Sequence, residues 1–165
     1  MGKIVDIKQL VKIRNNCRRV GKRVVFTNGV FDILHRGHIE YLTDAKELGQ
    51  VLIVGVNSDK SVRRIKGKKR PIVTEQDRAY IVANLLPVDY VCIFNEDTPL
   101  DLISEIIPDV LVKGSDWKTE DIVGKDIVEK SGGVVKNITL TPGKSTTSII
   151  NKILKRFSLR GKISK

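Results

Sequence analysis

The sequence predicts a single α/β domain, a five-stranded parallel sheet flanked by helices. Three features point there. Short apolar runs such as Val51-Leu52-Ile53-Val54-Gly55-Val56 are too short for helices and lack polar alternation, as strands buried on both faces require. They alternate with helix-period segments, and strand, helix, strand within about 35 residues is a βαβ unit with a right-handed crossover. The polar turns follow the strands, so they gather at the carboxyl edge of the sheet, where open α/β sheets bind ligands.

Taken in order, residues 4–20 set Ile4, Leu10, Val11 and Ile13 among basic and polar positions, an amphipathic outer helix. The first strand, 23–27, breaks at Asn28-Gly29. By His38 the pattern is helical, with Tyr41, Leu42, Ala45 and Leu48 on one side and Gly49 as a stop. The second strand, Val51–Val56, ends at Asn57-Ser58-Asp59. The basic segment 60–70, with Arg63, Arg64, Lys66, Lys68, Lys69 and Arg70, repels itself and lacks apolar periodicity. It is expected to be a mobile loop when empty. A solvated surface run is the plain reading, but its exit from a strand's carboxyl end favours a cationic flap closing over phosphates.

Thr74-Glu75-Gln76-Asp77 opens the next helix, which runs to about Leu86. Arg78 lies on its inner stripe with Val82 and Leu85. A buried cation needs an anion; a structural partner such as Asp89 and a ligand phosphate fit the sequence equally well. Val88–Phe94 is the third strand, Thr98-Pro99 starts a helix, and Val110-Leu111-Val112 is the fourth strand. It runs into Lys113-Gly114-Ser115-Asp116-Trp117, where the one tryptophan is either core filler or a ligand platform. Residues 120–130 read as a helix stopped by Gly132-Gly133, and Val134–Ile138 as the fifth strand. Thr141-Pro142-Gly143-Lys144-Ser145-Thr146-Thr147 then opens a last helix carrying Ile149, Ile150, Ile153 and Leu154. It is no P-loop, because Ile138 stands where the first glycine belongs.

The totals exclude several classes. One domain suits 165 residues, and 41% hydrophobic with 30% charged residues is a globular composition. No apolar run approaches a membrane span, and the N-terminus lacks a signal-peptide core. Cys17 and Cys92 form no CxxC pair and read as reduced thiols of a cytoplasmic protein. The charge of +11 suits nucleic acid or small polyanions, but aromatics at 5% leave few stacking platforms, so no nucleic-acid partner is expected. Gly-x-Gly-x-x-Gly, Gly-x-Ser-x-Gly and Cys/His clusters are absent, which disfavours dinucleotide oxidoreductases, serine hydrolases and zinc modules.

What remains points to phosphate. His35 and His38, the only histidines, stand three apart at a helix start, with Gly37 between them offering no side chain to hold a phosphate off the backbone. A surface turn or a metal pair is the plain alternative. Ser145, Thr146 and Thr147 open another helix, where one hydroxyl would suffice for capping.

At these residues the chain resembles a known family. Thr27-Asn28-Gly29-Val30-Phe31-Asp32-Ile33-Leu34-His35-Arg36-Gly37-His38 looks like the His-x-Gly-His signature of the cytidylyltransferase-like nucleotidyltransferases, a Rossmann-like fold. Val30 and Arg36 depart from the pattern common among relatives. Four further stretches, 84–91, 94–99, 112–117 and 143–150, look like the branch that adenylates heptose 1-phosphate, and the likeness spans about residues 4–156. The resemblance implies ATP as co-substrate, a sugar phosphate as acceptor and Mg2+ bridging phosphate oxygens, with no carboxylate cage visible, though Asp32 is placed to help. It implies that His35 and His38 contact the triphosphate at the reacting phosphorus. Val30 and Phe31 then offer backbone contacts, Thr27 and Gly37 belong to the nucleotide seat, Asp116 seats the nucleoside, and Ser145, Thr146 and Thr147 take the outer phosphates. Lys69, Arg70 and Trp117 are the acceptor-side candidates, and Asp32 and Arg78 join the histidines as catalytic candidates. The expected layout is a nucleotidyltransferase domain over 1–157 and a basic tail over 158–165, without the sugar kinase often fused upstream in that branch. Many relatives pair as homodimers. Glycerol-phosphate cytidylyltransferases and FAD-synthetase-like enzymes share the chemistry and are the nearest alternatives; a nucleotide-binding regulator without turnover is a third reading.

Overall fold

In a computed structural model, which describes residues 1–116 and 118–158, fourteen short elements follow one another. They are β1 (Lys3–Ile4), α1 (Ile7–Arg19), β2 (Val24–Gly29), α2 (Arg36–Glu47), β3 (Val51–Asn57), α3 (Asp59–Lys66), α4 (Glu75–Ala83), β4 (Tyr90–Phe94), α5 (Leu100–Ile106), β5 (Val110–Gly114), a 3-10 turn (Thr119–Asp121), α6 (Lys125–Lys130), β6 (Val134–Ile138) and α7 (Thr146–Ser158). The strands form one sheet in the order β1-β4-β3-β2-β5-β6, every neighbouring pair parallel. The chain builds outward from β2 through β3 to β4, then crosses to build β5 and β6 on the other side. That reversal opens a crevice at the carboxyl end of β2.

Residue alternation along each strand divides the core. Val25, Leu52, Val54, Val56, Val91 and Val110 pack under α2 and α4, against Tyr41, Leu42, Ala45, Ala79 and Val82. Phe26, Ile53, Cys92 and Leu111 pack on the other face against Leu10 of α1, Leu102, Ile103 and Ile106 of α5, and Val128 of α6.

The structure corrects the sequence reading in four places. The sheet has six strands, because Lys3 and Ile4 add to β4 opposite Tyr90 and Val91; two residues carry no period to read. Residues 60–66 of the basic segment are helical, not a loop, as part of α3 (Asp59–Lys66). Ser58 caps α3 by accepting from the Ser61 amide, Asp59 stands in its first turn, and Arg63, Arg64 and Lys66 in its last turn complement the helix dipole. Arg64 also pairs with Asp97, 2.6 Å away, so the expected self-repulsion is relieved. The helix expected over 120–130 is split, since Gly124 takes a left-handed conformation (φ 85°) and a Cβ there would meet Ile103 at 2.8 Å. Asp89 is not the partner of Arg78; it accepts from Lys46 and from the Leu52 amide. Trp117 and residues 159–165 of the expected basic tail lie outside the described residues.

Two buried guanidinium groups tie the layers together. Arg14 donates to the carbonyls of Ile106 and Ile107 and forks onto Asp109 at 2.7 and 3.0 Å, fastening α1 to the end of α5. Arg78 donates to the Val73 carbonyl (2.9 Å), the Val30 carbonyl (2.6 Å) and Asp59 (2.8 Å), so α4, the loop after β2 and the start of α3 share one cation. Replacing Arg78 by Met is therefore expected to destabilise the fold by about 3–5 kcal/mol, because Asp59 and two carbonyls lose their donor. Urea denaturation reads this directly, and a change below about 1 kcal/mol would show that the guanidinium does not hold these segments.

Candidate active site

The crevice at the head of β2 is lined by two connected cavities of about 180 and 680 Å3, which share Asn28, Gly29, Val30, His35, His38, Lys113, Asp116 and Lys144. Its wall on the α2 side is made by the loop between β2 and α2. Phe31 holds a left-handed conformation there (φ 49°), uncommon for a residue with a side chain. This turns its ring back over Gly29, where a Cβ would meet the ring at 2.9 Å, and toward His38, with ring centroids 5.3 Å apart. Gly29 is thus required by Phe31, and Phe31 supports the imidazole.

His35 is the N-cap residue of α2 but makes no capping bond, so the first-turn amides are not satisfied by its side chain. The His35 and His38 rings stack at 3.8 Å. The Nδ1 atoms of both are buried without a hydrogen-bond partner among the described residues. Buried polar atoms normally have partners, and two orphans side by side in a cleft mark a place for a ligand.

The last helix closes the other side. Ser145 accepts from the Ser148 amide at 3.0 Å, capping α7. Thr146 donates its hydroxyl to the Ile33 carbonyl at 3.1 Å, joining the two motifs across 113 positions of sequence. The contact is tight: a Cβ on Gly37 would lie 3.2 Å from both His35 Nδ1 and Lys144 Cβ. Gly37 therefore keeps the two helix starts together as well as leaving its backbone open. Thr141 donates to Glu40, which also pairs with Arg36 at 2.6 Å, tying the loop before α7 to α2.

Val30, His35, His38, Asp116, Ser145, Thr146, Thr147 and Arg70 all line these cavities, with Phe31 and Gly37 in the smaller one. Four sequence-named residues do not face the cleft. Thr27 is buried, its hydroxyl 2.7 Å from that of Tyr41. Asp32 is buried and accepts from Arg70 (2.5 Å) and from the amides of Ile72 and Val73, so it braces the loop and is not available to a metal. Arg78 is spent behind the loop as described, which overturns its reading as a group reaching a phosphate. Lys69 is exposed and lines neither cavity. In each case the sequence shows the residue type near the site, while burial and partners decide its task. Conversely, Asn28, Lys113, Thr141 and Lys144 line the cleft although the sequence, which shows them only as members of longer motifs, assigns them no role; their one signal is a position at the carboxyl end of a strand or beside a helix start.

Among the described residues no three His, Cys, Asp or Glu side chains come together to hold a metal. Burial depresses the His38 imidazole from 6.5 to about 4, helped by neighbouring His35. Burial and Lys144 lower that of His35. The His38 ring is therefore neutral near pH 7, His35 is pushed in the same direction, and an anion beside them would favour their protonated forms.

An α/β domain with its polar motifs on the carboxyl edge of a parallel sheet, and stacked histidines at one helix start facing a hydroxyl-rich one, belongs to the class of Rossmann-like nucleotidyltransferases. Residues 26–153 match the model of the cytidylyltransferase-like family, and the chain belongs to that family. Over 140 residues it is 56% identical to the bifunctional protein HldE of Syntrophotalea carbinolica, a match covering 85% of this chain and 29% of that protein. The chain thus spans under a third of the length of the curated relatives it matches. A lipopolysaccharide core biosynthesis protein from Thermoplasma volcanium superposes with a TM-score of 0.61 at 36% identity, covering 73% of this chain and 98% of that one. The pantoate-beta-alanine ligase of Francisella tularensis superposes with a TM-score of 0.60 at 18% identity over 94% of this chain and 78% of that one, which shows the shared fold alone.

The His38 shift has a measurable consequence. Between pH 6.5 and about 4 the unfolded chain takes up a proton on His38 that the fold refuses, so this contribution to stability is full above 6.5 and lost as pH falls toward 4. His38→Gln removes it. The stability difference between wild type and variant, from urea denaturation at pH 7.5 and 4.5, is expected to shift toward the variant at the lower pH; a constant difference would refute the depressed value.

Proposed function

We propose that this protein transfers AMP from ATP to heptose 1-phosphate, giving ADP-heptose and pyrophosphate for lipopolysaccharide or related surface-glycan assembly. The observation that carries the reading is the meeting of the stacked imidazoles, each with a buried Nδ1 that has no hydrogen-bond partner among the described residues, with the Ser145–Thr147 helix start across a single cleft. The names carried by relatives, a bifunctional HldE and a lipopolysaccharide core biosynthesis protein, supply the direction toward heptose.

The chemistry suits these side chains. An oxygen of the acceptor's phosphate forms a bond to the α-phosphorus of ATP, the bond from that phosphorus to the bridging oxygen of the β-phosphate breaks, and pyrophosphate leaves with the electron pair. A phosphate monoester is already anionic at neutral pH, so no strong general base is needed. The barrier lies in holding two polyanions together and neutralising charge as it shifts to the leaving group. In this reading His35 and His38 donate to the phosphate oxygens near the reacting phosphorus. The α7 amides with Ser145, Thr146 and Thr147 hold the β- and γ-phosphates, assisted by Lys144. Val30 and Phe31 present backbone to the nucleotide, Asp116 seats the nucleoside, and Arg70 and Lys66 stand at the mouth.

The carboxylates that line the cleft, Asp97 and Asp116, do not make a resident metal site: Asp97 is paired with Arg64, and among the described residues no third His, Cys, Asp or Glu joins them. Mg2+ in this reading arrives on the triphosphate as part of the substrate. Cys17 and Cys92 are both buried and unpaired by disulfide, in keeping with a cytoplasmic setting. Among the described residues no helix is long and apolar enough to cross a membrane. A homodimer is the assembly this reading carries with it.

Incubation with ATP, magnesium and heptose 1-phosphate is expected to release pyrophosphate and yield ADP-heptose, identified by mass. Consumption of CTP alone, or of ATP with polyol phosphates only, would overturn the assignment. His38→Ala is expected to lower kcat by about 10²–10³-fold, as removal of one transition-state donor does. An unchanged rate would favour a nucleotide-binding role without turnover at these histidines.

A further inference from the structure

The larger cavity has a second polar wall that the transfer of AMP, as described, leaves without a task. Asn28, Asn57 and Lys113 share strand parity with Phe26, Ile53 and Leu111, which pack on the α1–α5–α6 face of the sheet. Phe31 and Tyr41, beside the histidines, pack into the core of the opposite face. The register of β2 with β5, Phe26 opposite Leu111, carries on to put Asn28 level with Lys113. The Lys113 ammonium donates to Asn28 Oδ1, which aims it across the head of the sheet. Lys113, Asn28 and Asn57 all line the cavity, together with the loop from Asp97 to Pro99.

In-line displacement puts the nucleophile and the leaving group on opposite sides of the phosphorus. If pyrophosphate departs toward the α7 helix start, the acceptor has to approach from the α5–α6 side, where this wall stands. Two anions meet in the reaction, and two lysines border both cavities. Lys144 belongs to the α7 start; of the other described cations lining the larger cavity, Arg70 is paired with Asp32 and Lys66 is exposed at the end of α3, while Lys113 stands on the sheet itself. Burial lowers the Lys113 ammonium to about 8 against the pull of Asp116, so the group gains from a second negative charge placed beside it.

We infer that Lys113, oriented by Asn28, receives the phosphate of the acceptor, and that Asn57 and the Asp97–Pro99 loop receive its hydroxyl groups. The ligand class is a sugar phosphate monoester with free hydroxyls; the inference rests on the proposed transfer and deepens it by placing the acceptor on one wall of the cleft.

Initial rates of pyrophosphate release, with ATP and heptose 1-phosphate varied separately, test it in the full chain. Lys113→Met is expected to raise the acceptor KM by about 10–100-fold, the effect of losing a charge-assisted hydrogen bond, with the ATP KM changed by less than about threefold. Lys113→Arg restores charge and is expected to recover most of the loss. Should Lys113→Met fail to fold, Asn28→Leu keeps the charge and removes its orientation, and an acceptor-selective rise of several-fold is expected there. An unchanged acceptor KM, or an equal rise in both KM values, overturns the inference. Failure of the wild type to release pyrophosphate with this acceptor is a different result, which overturns the proposed transfer itself.

Discussion

Arg78 is the interaction on which the rest of the cleft depends. Its guanidinium is fully buried, where an unpaired cation would cost several kcal/mol. It is tolerated because Val30, Val73 and Asp59 each accept from it. Those acceptors come from the loop after β2, the entry to α4 and the start of α3, three segments that no common hydrogen-bond ladder joins. Asp32 works beside it, accepting from Arg70 and two amides of the 72–73 stretch. The left-handed Phe31 lies between Val30 and Asp32, so the strained residue is clamped on both sides. Once that loop is set, the positions of His35 and His38 follow from the helix that begins directly after it.

The cleft is built for charge it does not itself contain. Burial pushes the His38 imidazole and the Lys113 ammonium down, and burial together with Lys144 does the same to His35. An anion set beside such groups favours their protonated forms. In the proposed transfer, binding of the triphosphate would therefore draw protons toward the imidazoles. Binding and proton uptake are linked in that reading.

Much of this was legible beforehand, and for identifiable reasons. Val51–Val56 reads as a buried strand because every position is apolar. The Thr74 and Ser145 helix starts read as such because their hydroxyls precede the periodic residues they cap. His35 and His38 stood out because no other histidines exist in the chain. By contrast, β1 is too short to carry a period, and the helix at 59–66 was hidden because repulsion among its basic residues is visible locally while the Asp97 partner of Arg64 is 33 positions away. Arg78, Asp32 and Thr27 carried the right chemistry near the right place, and only their burial and partners showed that Arg78 and Asp32 brace the loop while Thr27 ties β2 to Tyr41 of α2.

The sequence by itself determined the α/β alternation, the location of the ligand-facing turns and the family of the chain, because apolar period, turn residues and short motifs are local properties. Tertiary structure alone decided which polar residues face the cleft and which are consumed behind it. Strand parity, the crossover from β4 to β5 and the seating of α7 on Ile33 bring together residues more than a hundred positions apart, and the task of a buried charge depends on partners that no local pattern names.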